Sequence, residues 1–309
     1  MIGFYVSASG AVKKAEQFEE GCWINMVNPT EDEILTAVRL TGAEPAFIKA
    51  ALDDEETSRI DTEDDQTLII VDVPVGEKGE DGSYSFSTLP LGVIVTKKAV
   101  VTVALKETSV INDFSSGVIR NIDTRQKTRF LLLIMLRAAN RYLFHLRQIE
   151  KASSRVENEL YKSQKNKELI ELLGLEKSLV FFSTSLKSTE GTLEKLLRGR
   201  IIKLYDEDQD LLEDVIIEFK QAIEMADIYS NILSGTMDAY ASVISNNLNI
   251  IMKVLTLITI FMTIPTVIFS YYGMNVKGGL PLATPVMPIL ISLLCIVLVW
   301  LLLKKKKLY

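Results

Sequence analysis

Residues 249–277 read NIIMKVLTLITIFMTIPTVIFSYYGMNVK, and this stretch decides the fold. Between Lys253 and Lys277 it holds 23 residues without a charge. A helix needs roughly 20 predominantly apolar residues to cross a bilayer. The stretch therefore predicts a membrane-spanning helix over 254–272.

A second apolar run follows directly. The 26 residues 278–303, between Lys277 and Lys304, carry no charge and predict a second crossing over 286–303. The link 273–285 contains three glycines and two prolines and is too short to form a domain. The C-terminal part of the chain is therefore expected to be a helical hairpin in the membrane.

The charges separate this hairpin from the rest of the 309 residues. Residues 1–252 hold 28 Lys+Arg and 40 Asp+Glu, a net charge of −12, whereas 253–309 hold six lysines and no acid. An acidic body argues against a nucleic-acid partner, because phosphate binding needs clustered cations. A single histidine, His145, and two distant cysteines, Cys22 and Cys295, disfavour a zinc site, a disulfide and a histidine-based enzyme.

The positions of the lysines predict the topology. Lys253 precedes the first crossing, and Lys304, Lys305, Lys306 and Lys307 follow the second. The positive-inside rule then places both termini in the cytoplasm of a multi-pass protein of the cell membrane. The N-terminus shows no secretory signal pattern. A simple anchoring role in the lipid is the alternative interpretation of the lysine run.

The first 105 residues mix predicted strands and helices. Thr30 and Glu33 have the spacing of a capping box at a helix start, and a short helix is expected over 45–52. Predicted strands cover 22–27, 67–75, 91–96 and 99–105, with Lys97-Lys98 as the turn of a hairpin. Leucine and charge then recur at helical spacing over 123–162 and 166–198.

A third helical pattern begins at Asp206 and meets no proline before Pro265. Its apolar positions recur at steps of three or four at Leu212, Val215, Phe219, Ala222, Ala226, Tyr229, Leu233, Met237, Tyr240, Ile244, Leu248 and Ile251. The pattern predicts one continuous helix from Asp206 to Tyr272, about 100 Å long. A seam of this length predicts an oligomer. Pro265 is interpreted either as a tolerated kink or as a hinge.

Polar or soft residues mark one face of the first crossing. They lie at steps of 3, 4, 3, 4, 3 and 4: Asn249, Met252, Thr256, Thr259, Thr263, Thr266 and Ser270. This set is called the polar stripe below. Hydroxyls are costly against lipid tails, so the stripe is expected to face protein or water. Two interpretations stay open, helix packing and a pore that several copies enclose.

The tripeptide Gly273-Met274-Asn275 ends the first crossing, and here the sequence resembles the CorA family of magnesium transport proteins. The segment NIIMKVLT at 249–256 is similar to the inner-mouth sequence of that family. DDEETSRI at 53–60 and LPLGVIV at 89–95 are similar to stretches of its cytoplasmic domains. The resemblance spans nearly the whole chain.

The resemblance implies an α+β cytoplasmic domain, an α/β/α sandwich, with a very long stalk helix continuing into the transmembrane hairpin of a homopentameric, funnel-shaped channel. The implied divisions are an α/β domain (1–122), a helical hairpin (123–205), the stalk (206–253), the pore-lining helix (254–272), the outer loop (273–285), the second helix (286–303) and a basic tail (304–309).

The resemblance also implies roles for individual residues. Gly273, Met274 and Asn275 would form the outer selectivity filter, although a helix C-cap is the alternative role for Asn275. Asn249 would form a polar ring, Met252 and Leu255 a hydrophobic constriction, and the remaining stripe residues would line the pore. Magnesium prefers oxygen ligands and loses water reluctantly, so neutral oxygens suit a hydrated ion. No organic cofactor is expected.

The same family senses cytoplasmic magnesium through acids at subunit interfaces. Candidates on the stalk are Asp206, Glu207, Asp208, Asp210, Glu213 and Asp214, of which Asp214 is favoured, facing Asp53 and Asp54 of a neighbour. Carboxylates held together repel one another, and a divalent ion relieves that repulsion. An ordinary solvated acidic face is the alternative.

One departure from the family pattern concerns the outer loop. The family usually continues from Gly-Met-Asn into an acidic Met-Pro-Glu, whereas this chain reads VKGGLPL at 276–282, with Lys277. Taken as a whole, the resemblance implies magnesium influx gated by cytoplasmic magnesium. Transport of zinc, cobalt or nickel, and a membrane-tethered sensor or scaffold, are the alternative functions.

Overall fold

The computed structural model describes residues 1–8, 10–79, 84–163, 166–199, 202, 205–274, 284 and 286–305. The chain divides into two compact units, Met1–Met237 and Asp238–Tyr309. The strands are β1 Ile2–Ala8, β2 Ala11–Ala15, β3 Trp23–Val27, β4 Arg59–Glu63, β5 Gln66–Lys78, β6 Tyr84–Val95 and β7 Val100–Ala104. The helices are α1 Glu31–Thr41, α2 Pro45–Ala50, α3 Ser109–Ser115, α4 Lys127–Ser163, α5 Asn166–Gly199, α6 Asp206–Tyr272 and α7 Met287–Lys305.

The strands form one mixed sheet in the order β2-β1-β3-β7-β6-β5-β4. The pair β3–β7 is parallel, and the other described neighbours are antiparallel. Strands β3, β5, β6 and β7 confirm the four predicted runs, and Val95 pairs with Val100 across the predicted Lys97-Lys98 turn. The capping box is also confirmed, because Thr30 accepts from the Glu33 N–H at the start of α1.

Sequence reasoning missed β1, β2, β4 and α3. The sequence of β4, RIDTE, lacks apolar alternation, and the strand forms at the sheet edge because β5 offers it a partner. Asp64 and Asp65 join the two strands with φ values of +43° and +62°. Two left-handed residues in a two-residue loop match the type I′ hairpin turn, for which an Asp-Asp pair was a weak signal.

Helices cover both faces of the sheet. On one face Ile24 and Ile70 pack in a buried cluster with Ala37 of α1 and Ile48 of α2. On the other face α5 packs on the sheet through Phe182, whose ring centroid lies 6.2 Å from that of Phe86. The predicted α/β/α sandwich is therefore confirmed, with the α4–α5 hairpin forming part of its outer layer.

Helix α6 confirms the predicted bounds, Asp206–Tyr272. The first half of its seam packs within its own unit, with Phe219 6.4 Å from Tyr142 between ring centroids. The buried members, each at most 1% exposed, are Leu212, Val215, Phe219, Ala222, Ala226 and Leu233. This half of the seam is therefore covered by the chain itself. Ile244, Leu248 and Ile251 are exposed, so only this later part leaves an apolar face open.

A buried carboxyl group lies between the sheet and α5. Asp72 of β5 is 9% exposed, and its side chain is hydrogen-bonded to the Ser185 hydroxyl. Burial raises the pKa of Asp72, because the charged form loses its hydration, and the Ser185 hydrogen bond offsets only part of this effect.

We expect Asp72→Asn to raise the melting temperature of the protein near neutral pH. The folded state holds the Asp72 proton more tightly than the unfolded state does. The contribution of protonated Asp72 to the free energy of unfolding is therefore fully present below the unfolded pKa of about 3.9. It is lost as the pH rises through the folded pKa. The melting temperature of Asp72→Asn should therefore depend less on pH than that of the wild type. The exposed control Asp64→Asn should keep the pH dependence of the wild type.

Candidate functional site

Two helices of the described chain are long and apolar enough to cross a membrane. They are the C-terminal part of α6, up to Tyr272, and α7. Both confirm the predicted crossings, and α7 extends to Lys305, two residues beyond the predicted end.

Helix α7 covers one face of the apolar part of α6. The half-buried residues of this face recur at helical spacing at Leu257, Phe261, Ile264, Ile268 and Tyr272. A groove of about 440 Å³ is lined by Ile264 and Ile268 together with Cys295 and Val299 of α7. At Ile264 and Ile268, therefore, this half-buried face adjoins α7.

The polar stripe lies on a different face. All of its members, Asn249, Met252, Thr256, Thr259, Thr263, Thr266 and Ser270, are exposed in the single chain. At 100° per residue the centre of the stripe lies about 150° from the centre of the covered face. Thr259 and Thr263 also line the groove beside α7. Within one chain the stripe is exposed, as are apolar residues on the neighbouring faces of the helix such as Ile258 and Val267.

The stripe threonines use their protons within the helix. The hydroxyls of Thr256, Thr259, Thr263 and Thr266 donate to the carbonyl oxygens four residues earlier, at distances of 2.7–2.9 Å. This geometry satisfies the hydroxyl donors in an apolar medium, as the packing interpretation requires. It also leaves each oxygen with lone pairs directed away from the backbone, so the face presents acceptors.

Two of the three filter candidates, Gly273 and Met274, directly follow the C-terminal end of α6. The Gly273 N–H donates to the Phe269 carbonyl at 2.8 Å, and a β-carbon at Gly273 would lie 3.3 Å from the same oxygen. Met274 is 57% exposed. Asn275, the third candidate, lies outside the described residues, as does Lys277.

The lysines at the other end of the hairpin are exposed. Lys253 precedes the apolar part of α6, and Lys304 and Lys305 end α7. The Lys304 ammonium lies 5.1 Å from the centre of the Trp300 ring, a cation–π contact. Lys306 and Lys307 lie outside the described residues.

The acidic candidates are surface residues. Asp53, Asp54, Asp210 and Asp214 are all exposed. Among the residues that the structure describes, no three His, Cys, Asp or Glu side chains in one chain are grouped to hold a metal ion.

Asp208 differs from the other stalk acids, because it is only 4% exposed and accepts a hydrogen bond from the Tyr205 N–H at 3.3 Å. It helps to start α6, and its burial within the chain disfavours it as a ligand at a subunit interface. Glu207 lies 3.8 Å from the Arg129 guanidinium.

Sequence reasoning missed a polar contact between α5 and α6. Asp227 accepts from the Ser183 hydroxyl at 2.8 Å and from the Lys187 ammonium at 3.0 Å. The hydrogen bond from Lys187 is the largest cause that lowers the pKa of Asp227, and the hydrogen bond from Ser183 is the next. Lys187 and Asp227 are single charged residues in helical patterns, and nothing in their local sequence indicates that they meet.

Comparison with known proteins gives a consistent result. The family model described as CorA-like Mg2+ transporter protein matches residues 18–305. The chain is 27% identical over 270 residues to the cobalt/magnesium transport protein CorA of Methanocaldococcus jannaschii, covering 84% of this chain and 81% of that one. It is 24% identical over 302 residues to the protein of the same name from Thermotoga maritima, covering 92% and 82%.

The fold is also similar to a solved structure. The complete structure of the CorA magnesium transporter from Methanocaldococcus jannaschii superposes with a TM-score of 0.79 at 23% identity. The superposition covers 98% of this chain and 95% of that one. The likeness extends over both units of the chain.

We expect a cysteine at Thr263 to react with a charged, water-soluble thiol reagent, because the stripe should face water. The background would carry Cys22→Ala and Cys295→Ala. Ile258→Cys is the matched control, since Ile258 is 51% exposed on an apolar face of the same helix. Equal labelling of both cysteines in liposomes, measured by mass spectrometry, would contradict a water-facing stripe.

Proposed function

The chain belongs to the family of CorA-like Mg2+ transporter proteins, and on that premise we propose that it conducts Mg2+ into the cell through a pore lined by α6. It is a membrane protein and a divalent metal ion transporter, as its family membership shows. The proposal concerns the ion, the direction of transport, the pore and its regulation.

The observation that carries the proposal is the open polar stripe. A single stripe cannot enclose a pore, but five copies around a symmetry axis can place Thr256, Thr259, Thr263, Thr266 and Ser270 around a shared lumen. Helix α7, which lies beside Ile264 and Ile268 of α6, then lies outside the ring. Lipid contacts the apolar outer surface of α7.

The chemistry of the lumen suits a hydrated cation. Magnesium keeps several waters, and these point their protons outward from the ion. The stripe threonines donate their own protons to the helix, so their oxygens can only accept from such waters. Neutral acceptors bind the hydrate without holding it as tightly as carboxylates would.

The two ends of the pore have separate roles in this proposal. Gly273, Met274 and Asn275 form the outer filter, where the backbone and an amide supply oxygens. Asn249 forms a polar ring at the inner mouth, and Met252 with Leu255 forms the hydrophobic constriction. Lys253 and 304–307 lie at the cytoplasmic face, which places both termini inside.

The membrane potential is sufficient to drive influx. An inside-negative potential contributes about 2.3 kcal/mol per charge per 100 mV. A divalent ion therefore gains roughly 4.6 kcal/mol at that potential. No nucleotide or organic cofactor enters this proposal.

Cytoplasmic Mg2+ closes the channel by bridging neighbouring subunits. Asp210 and Asp214 of one copy face Asp53 and Asp54 of the next, and the ion neutralises their repulsion. The exposure of all four carboxylates in the single chain supports such a shared site. Loss of the ion then loosens the closed ring.

Cobalt is the second candidate ion. Both curated relatives are named cobalt/magnesium transport proteins.

Lys277 also replaces the acidic character that the outer loop of the family usually has, so the outer mouth should concentrate divalent cations less strongly.

We expect the full chain in liposomes to conduct Mg2+, read by an internal indicator, and to rescue growth of a bacterium that lacks magnesium uptake. Asn275→Ala should reduce both by at least tenfold, because the filter loses its amide oxygens. Asn231→Ala, an exposed asparagine of α6 outside the apolar segment, is the control. Equal activity of the two variants would refute the filter assignment, and no flux of any divalent ion would favour a scaffold.

We expect Asp214→Asn to raise the cytoplasmic Mg2+ concentration that halves the flux, because one shared ligand is lost. The maximal flux at low Mg2+ should not change. Asp64→Asn, an exposed acid on the β4–β5 turn, is the control for a general charge effect. A midpoint for Asp214→Asn that equals the wild-type value would remove this residue from the sensor.

A further inference from the structure

Helix α5 is hydrogen-bonded to the sheet on one side and to α6 on the other within a segment of seven residues, 183–189. We propose that Ser58, Thr189 and Asp227 are positioning residues that couple the acidic loop 53–57 to the pore helix through this segment. The proposal rests on the proposed function, since it concerns how the binding of Mg2+ at the loop affects α6.

The contact with the sheet is buried and directional. The hydroxyls of Ser58 and Thr189 share a hydrogen bond of 3.0 Å, and these residues are 9% and 0% exposed. The Ser58 hydroxyl also accepts from the Asp72 N–H at 3.2 Å, so it is fixed to β5. The neighbouring Ser188 hydroxyl donates to the Ser58 carbonyl at 3.4 Å.

The acidic loop ends at this contact. Asp53 and Asp54 lie five and four residues before Ser58. Glu56 forms an ion pair with Arg59, and its Oε1 accepts from the Thr57 N–H at 3.1 Å. Glu56, Thr57 and Arg59 therefore join the acidic loop directly to the contact made by Ser58.

The contact with α6 lies on the other side of α5. Asp227 accepts from both Ser183 and Lys187, which are one turn apart. The lowered pKa of Asp227 keeps the carboxylate ionised at neutral pH. Asp227 belongs to the same helix that enters the apolar segment at Val254.

The directional bonds determine the axial position of α5. Apolar contacts such as those of Phe182 and Leu186 depend weakly on sliding, because dispersion and burial are non-directional. Hydrogen bonds fail beyond about 3.5 Å, so the Ser58–Thr189 pair, together with the Thr88–Ser185 pair, fixes the register of α5 on the sheet. From Ser183 to Thr189 the helix rises about 9 Å, short enough to move as a rigid piece.

The test measures the cytoplasmic Mg2+ concentration that halves Mg2+ flux of the full chain in liposomes. Thr189→Val and Asp227→Asn should each raise this midpoint about threefold or more, with unchanged maximal flux at low Mg2+. Thr192→Val is the matched control, because Thr192 is 2% exposed and its hydroxyl donates only within α5. Its midpoint should equal that of the wild type.

The double variant Thr189→Val/Asp227→Asn should shift the midpoint no further than the larger single change, because both residues serve one route. Wild-type midpoints for both single variants, or fully additive shifts, would overturn the inference and leave the channel proposal standing. A wild-type flux that Mg2+ does not inhibit would overturn the gating proposal and the inference together.

Folding does not limit this test. Lys187 and Asp227 have side chains 54% and 44% exposed, so Lys187→Met and Asp227→Asn should lower the melting temperature only slightly. If Thr189→Val unfolds, these two surface variants decide the matter. Unchanged midpoints in both would overturn the inference, and raised midpoints in both would support it.

Discussion

A polypeptide that enters lipid must satisfy every backbone N–H and C=O within the protein, and the rest of this structure depends on that constraint. It makes the apolar run of α6 helical, and the helix then groups residues three and four apart on one face. The same constraint draws the hydroxyls of Thr259 and Thr263 onto backbone carbonyls. A helix built for lipid thus presents a row of acceptors, which is what a hydrated cation requires.

The soluble unit shows which elements were predictable from sequence. Strand β5 and the capping box at Thr30 carry strong local signals, and both are found. Strand β4 carries almost none, because its pairing depends on β5 and not on its own residues. The seam of α6 has a strong periodic signal, and its spacing was predicted correctly. Periodicity does not tell, however, whether Phe219 packs on its own chain or on a partner.

The candidate site was predictable where it is periodic and local. The polar stripe and its open face follow from helical spacing alone. The contact of Asp227 with Ser183 and Lys187 joins residues 40 or more positions apart, and the Ser58–Thr189 pair joins residues 131 apart. Such contacts depend on tertiary packing, and serine or threonine at these positions has no distinctive local pattern.

The unbroken course of α6 has a consequence for how the chain tolerates length changes. Each inserted residue turns the following part of a helix by about 100°, so one residue added between Met237 and Lys253 would carry the threonine face far from its original azimuth. Seven added residues would return it to within about 20°. Helical phase therefore constrains the length of this segment, and substitution is far easier there than insertion.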